Sequence, residues 1–165
     1  MLRLVPGLIL ALFALAAPAL AQDGVPISFG QSLRLDGSAL EVTADTLQVD
    51  QTTGASEFSG NVLAVQGDMR IAAGALRLEY APGNSEGSQR ISRLIASGGV
   101  TMVTPAEAME ADQAVWSLDA QTLEMTGNVM LLQGQNMLSG QRFVADLRSG
   151  AGRMVGRVRT TIRTD

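Results

Sequence analysis

One small phrase centred on glycine returns five times along this chain, as Gly30-Gln31-Ser32, Gly60-Asn61-Val62, Gly98-Gly99-Val100, Gly127-Asn128-Val129 and Gly156-Arg157-Val158. The intervals are 30, 38, 29 and 29 residues. The long interval contains a nine-residue polar, Gly/Ser-rich segment at 81–89 (APGNSEGSQ), and removing it restores a period of 29. That segment reads as a surface loop. Repetition at such a period marks an array whose units bury a face against their neighbours that none could bury alone.

A second phrase interleaves with the first. It runs Ala44-Asp45-Thr46-Leu47-Gln48-Val49 and Ala111-Asp112-Gln113-Ala114-Val115-Trp116, with degenerate copies beginning at Ala73 and Ser139. Turn signals follow the glycine at Asp36-Gly37, Gln66-Gly67, Thr104-Pro105 and Gln133-Gly134, and others fall at 50–54, 119–121 and 148–150. Between turns, apolar residues alternate with period two, as in Leu76/Leu78, Leu123/Met125 and Val129/Leu131. Helical periodicity is almost absent. The expectation is an all-β, solenoid-like stack of repeated antiparallel strand pairs.

Parity places the glycine. Phe58, Gly60, Val62 and Ala64 share one phase, as do Leu94, Ala96, Gly98, Val100 and Met102, and Leu123, Met125, Gly127, Val129 and Leu131. The glycine is therefore expected in mid-strand on the apolar face, marking a bend, a bulge or a close approach. Stacked unit upon unit, it would crease the sheet along a line or leave a groove on its inner face. No strand-to-helix pattern follows it, so it is not a phosphate loop.

The start of the chain reads differently. An apolar run from Leu8 to Ala17 precedes Pro18 and the small-x-small site Ala19-Leu20-Ala21, the pattern of a cleavable export signal. The run is shorter than the roughly 20 residues a spanning helix needs. The expected mature domain is 22–165, exported after cleavage. Cysteine and histidine are both absent, which removes disulfides, thiol catalysis, Ser-His-Asp triads and the usual zinc sites. Carboxylate chemistry remains, but Asp45 and Asp112 are repeat-equivalent and read as outward turn or strand-start residues. No enzyme activity and no cofactor is expected.

Two readings of the apolar face stand side by side. One is a closed core. The other is a groove for variable apolar ligands, suggested by methionines at inward positions (Met102, Met125, Met154) and by few aromatics.

The phrases Ala44-Asp45-x-Leu47-x-x-Asp50, Gly54, Phe58-x-Gly60-Asn61-Val62, Gln66-Gly67-Asp68 and Ala73-x-x-Leu76 together resemble the LptA/OstA-like family of periplasmic lipopolysaccharide-transport proteins. The likeness continues through Gly127-Asn128-Val129, Gln133-Gly134 and Leu138-x-Gly140, and Gly99 departs from it where the phrase usually has Asn. The resemblance implies an open, twisted β-jellyroll that takes the acyl chains of lipid A inside and leaves the sugars outside. It also implies edge-to-edge self-association, with an LptC-type inner-membrane subunit and an LptD-type outer-membrane translocon as partners, and no nucleic acid. The free periplasmic shuttle fits better than either partner, since neither a retained anchor nor a large barrel is evident. On this reading the lipid-groove candidates are Leu47, Val49, Phe58, Val62, Ile71, Leu76, Leu78, Val100, Met102, Trp116, Leu118, Met125, Val129, Leu131 and Phe143. The alternative is a non-catalytic structural or adhesin-like β-solenoid module.

Charge is uneven as well. Residues 142–165 hold six Arg against two acids, while 22–141 hold five Arg against fourteen acids. Arg153, Arg157 and Arg159 are candidates for contact with an acidic partner edge or with lipopolysaccharide phosphates. Charge that protects a free strand edge from aggregation is the other explanation.

Overall fold

The computed structural model describes residues 39–82 and 88–163. The export signal and the first glycine phrase therefore lie outside the described residues. Ten strands follow one another: β1 (Glu41–Thr43), β2 (Thr46–Val49), β3 (Ser56–Gln66), β4 (Met69–Pro82), β5 (Gln89–Val103), β6 (Glu107–Ser117), β7 (Thr122–Gln133), β8 (Asn136–Asp146), β9 (Ala151–Val155) and β10 (Arg159–Thr161). Every pairing is antiparallel, and β3 to β8 form a continuous meander. The terminal strands are split: β1 and β2 share β3, and β9 and β10 share β8. The expected strand pairs thus join edge to edge in one open sheet.

The turns fall at the expected glycines and prolines, with tight connections at 67–68, 104–106 and 134–135. At the second of these, Thr104 Oγ1 accepts the N–H groups of Ala106 and Glu107, closing a turn around Pro105. The polar segment at 81–89 is less loop than its composition suggests, because Ala81 pairs with Arg90 and Pro82 with Gln89.

A crease crosses the whole sheet at the glycine phrases. Register shifts interrupt the ladder between Ser59 and Val62, between Ser97 and Val100, and between Thr126 and Val129. In each case three residues on the glycine strand span what its neighbour spans in two, the signature of a bulge. Gly60 and Asn61 have φ of 79° and 48°, and Gly127 and Asn128 repeat this at 78° and 49°. Such left-handed backbone suits glycine and is tolerated by asparagine.

The extra residue keeps inner parity on the glycine strands and breaks it on the strands between. On β7, Leu123 and Met125 lie inside before the crease, and Val129 and Leu131 after it. On β6 the inner set changes phase, from Met109 and Ala111 to Ala114 and Trp116. Both strand types thereby present apolar side chains to one interior on either side of the fold line. The core is a single cluster from Val62 to Leu147.

Candidate functional site

Register turns the inner face into long rows that cross every strand. One row reads Leu47, Phe58, Leu76, Ala96, Ala114, Met125, Phe143 and Met154, each paired with the next. Across the crease a second runs Val42, Ala64, Ile71, Met102, Met109, Leu131, Leu138 and Thr160. At about 4.8 Å between strands, an eight-strand row extends about 34 Å. Residues directly paired across strands share a face, so these rows are the long axis of the interior.

Of the lipid-groove candidates, Val62, Ile71, Leu76, Leu78, Val100, Met102, Trp116, Met125, Val129, Leu131 and Phe143 are buried in the single cluster. Phe58 and Leu118 pack against it, partly buried. Leu47 and Val49 are different. Register puts them on the inner face, opposite Phe58 and Ser56, but they are 55% and 54% exposed at the end of the sheet. Among the described residues no strand lies beyond β2 to cover them.

Next to the crease the two walls pack closely. Ile71 and Met102 on one wall meet Leu76, Leu94, Ala96, Ala114, Trp116 and Leu123 on the other around a cavity of about 10 Å³. That is at most one water's worth of space. Its lining contributes no polar surface. An apolar chain could enter at this point only if the walls moved apart.

Outside the crease is a device that parity does not reveal. A Cβ added at Gly60 would lie 2.9 Å from the Asp45 Cβ, and one at Gly127 would lie 2.8 Å from the Asp112 Cβ. The glycine's missing side chain thus faces an exposed aspartate on the preceding strand, and the expectation that it sits on the apolar face is corrected. The positive φ turns it out of phase. Each aspartate then accepts a hydrogen bond from the asparagine beside that glycine, Asn61 Nδ2 to Asp45 Oδ2 at 2.8 Å and Asn128 Nδ2 to Asp112 Oδ2 at 3.1 Å. Asp45 sits at the bend just before β2, as an outward strand-start residue should, whereas Asp112, also exposed, lies in the middle of β6 rather than at a turn or strand start. A constant separation of sixteen residues marks both pairs.

The middle unit has lost both partners at once. Gly74 stands where those two units have Asp, Gly99 where they have Asn, and the backbones close in: a Cβ at Gly98 would be 3.1 Å from the Gly74 Cα. Beside it an outer concavity of about 490 Å³ is lined by Asn61, Leu63, Ala72, Gly74, Gly98, Gly99 and Thr101, among others.

Arg153 on β9, Arg159 on β10 and Arg157 in the bend between them are all exposed, and none makes a salt bridge among the described residues. Arg157 occupies the asparagine place of the fifth phrase, with φ of 46°. Glu107, which no repeat phrase or motif marks, is buried on the inner face. Among the described residues no group of three or more metal-ligating side chains converges, and no helix is long and apolar enough to cross a membrane.

An open antiparallel sheet, creased along repeated glycine bulges and closed on one apolar interior, defines a β-jellyroll of the kind used by lipopolysaccharide-transport proteins. Residues 41–151, more than half the chain, match the model of the family described as LptA/(LptD N-terminal domain) LPS transport protein, and the chain belongs to that family. It is also similar to an uncharacterized protein of Rhizobium meliloti (strain 1021), with 27% identity over 144 residues that cover 85% of this chain and 77% of the relative. The fold matches LptH of Pseudomonas aeruginosa, described as the LptA-homologous periplasmic component of the lipopolysaccharide transport device. There the TM-score is 0.68 at 12% identity, covering 78% of this chain and 97% of that one.

Proposed function

We propose that this protein is a periplasmic carrier that holds the acyl chains of lipopolysaccharide between the two walls of its creased sheet. It passes them from the inner towards the outer membrane through neighbours joined at its strand edges. The observation that carries this reading is the continuity of the inner rows. The first row runs unbroken from Leu47 to Met154 and stays apolar up to the exposed Leu47. A core built only for stability would be capped at its ends, whereas a conduit continues into its neighbour.

The energetics suit a carrier. Burial of apolar surface is worth about 25 cal/mol per Å² and has no preferred direction, so acyl chains prefer such an interior to water yet can slide along it. Methionines at Met102, Met109 and Met125 line the rows with flexible, polarizable side chains that adapt to different shapes. Edge strands offer backbone groups for strand addition by an LptC-type or LptD-type partner or by another copy.

Photocrosslinking in cells tests the reading. A photoreactive residue at Met125 or Val62 should capture lipopolysaccharide, and one at Leu47 or Arg159 should capture a neighbouring transport protein. The structural-module alternative predicts the same closed interior but no lipid adduct. Absence of lipopolysaccharide at every inward site would rule out the carrier.

A further inference from the structure

At the hairpin lip, the inner face changes character. The positions that follow Ala64, Met102 and Leu131 in the inner phase are Gln66, Thr104 and Gln133, and Glu107 precedes Met109. Gln66, Thr104 and Glu107 are all buried, Glu107 to 6% exposure. The apolar rows therefore end in a polar one.

Most of Glu107 is satisfied. Its N–H donates to Thr104 Oγ1 at 3.1 Å and its carbonyl accepts the Thr104 N–H at 2.8 Å. Gln133, its register partner on β7, donates from Nε2 to Oε1 at 3.1 Å. Oε2 is shielded from solvent and meets no donor among the described residues. A carboxyl oxygen removed from water without a partner is an energetic loss that an apolar residue here would avoid. Burial accordingly raises the Glu107 pKa above the ordinary glutamate value, only partly offset by the Gln133 hydrogen bond.

Given the carrier reading, on which this inference rests, we propose that Glu107 Oε2 is the acceptor for a hydrogen-bond donor on the lipid, a hydroxyl or amide N–H at the border between its acyl chains and its polar head. The partner is a donor and not a phosphate, which a carboxyl at this lip repels. The polar lip also orients the ligand, with acyl chains towards the crease and the donor-bearing end at the hairpins. Such a contact distinguishes donor-bearing amphiphiles from plain hydrocarbon chains, which the rows alone do not.

The test is displacement of 11-(dansylamino)undecanoic acid from the purified protein by dodecanol and by dodecyl methyl ether, which differ in the hydroxyl donor. Dodecanol should displace the probe about tenfold more effectively, the size expected of one hydrogen bond to a buried acceptor. Glu107→Met, unbranched and of similar length, should bind the ether as well as the wild type does and bring the ratio close to one. Glu107→Gln, whose single oxygen is taken by Gln133 Nε2 and which puts an NH2 donor in the Oε2 place, should keep the fold and also lose the preference, since alcohol and ether oxygens both accept. A preference that survives in Glu107→Met, or is absent from the wild type, overturns the inference and leaves the carrier reading intact. Failure of the wild type to bind probe, alcohol and ether alike overturns both.

Discussion

Asp50 and Asp146 sit at equivalent places in the array, three units and the insertion apart, each at the head of a turn on the lip opposite the hairpins that hold Glu107. Asp50 Oδ1 accepts the N–H groups of Thr52 and Thr53 at 2.8 and 3.1 Å, and Asp146 Oδ1 those of Arg148 and Ser149 at 2.9 and 2.8 Å. These bonds favour the ionised form. The Thr53 N–H chiefly lowers the Asp50 pKa, and the Ser149 N–H that of Asp146, below the ordinary 3.8. Since the folded pKa is the lower one, their contribution to stability is fully present above pH 3.8 and is lost as pH falls through the folded values. Glu107 has the opposite sign: its raised folded pKa means stability is lost as pH climbs from the ordinary 4.5 through the folded value. The double variant Asp50→Asn/Asp146→Asn should therefore melt below the wild type at neutral pH and converge with it in acid. Melting curves from pH 2 to 7 that stay parallel would refute the capping role. The turns themselves were legible in the sequence from Gly54 and Gly150, but the aspartates' bonds to turn N–H groups were not, because spacing alone does not say which oxygen meets which amide.

At the scale of the strand, the crease is held in two ways. Around Asp112 it is pinned by a side-chain clamp that reaches over Gly127 to Asn128, and around Gly74 by direct backbone approach to Gly98. Truncating a clamp loses one exposed hydrogen bond, so Asp112→Ala should cost about 1 kcal/mol in chemical denaturation. Gly98→Ala should cost about 2–3 kcal/mol, since its φ of 79° disfavours any Cβ and the added carbon would press on the Gly74 backbone rather than on a side chain able to move. Equal losses at the two sites would argue against two kinds of crease. Much of this level was readable beforehand: period-two alternation placed Leu123, Met125, Val129 and Leu131 on one face, and the turn residues set the strand ends. The change of phase on β4, β6 and β8 was not, because a bulge is a conformation of two neighbouring residues and shows in the sequence only once Asp45 with Asn61 is compared with Asp112 with Asn128. The joint replacement of the third pair by Gly74 and Gly99 was the signal that could have disclosed it.

For the whole molecule, the two ends of the sheet differ in charge as well as in position. The described residues at the first end carry exposed Glu41, Asp45 and Asp50, and the last strands carry exposed Arg153, Arg157 and Arg159. The sheet alternates glycine-bearing strands with the strands between them, so a glycine-bearing β9–β10 edge placed against β1–β2 of another copy continues both the alternation and the antiparallel sense. That arrangement brings arginines to carboxylates, which favours an acidic partner edge over charge serving only to prevent aggregation. Pairs at an exposed rim add little to affinity, about 0.2–1 kcal/mol each, but steer encounter and fade with salt. Replacing Arg153, Arg157 and Arg159 together by Gln should thus leave the melting temperature nearly unchanged, since none has a salt-bridge partner within the described chain. Association should weaken about tenfold at low salt and much less at high salt, as read by sedimentation velocity. Glu41→Arg, at the opposite end, should weaken it in the same salt-dependent way. If the triple variant associates as the wild type does under both conditions, the arginine edge is not a docking edge, and the rows of the interior would need another route from one carrier to the next.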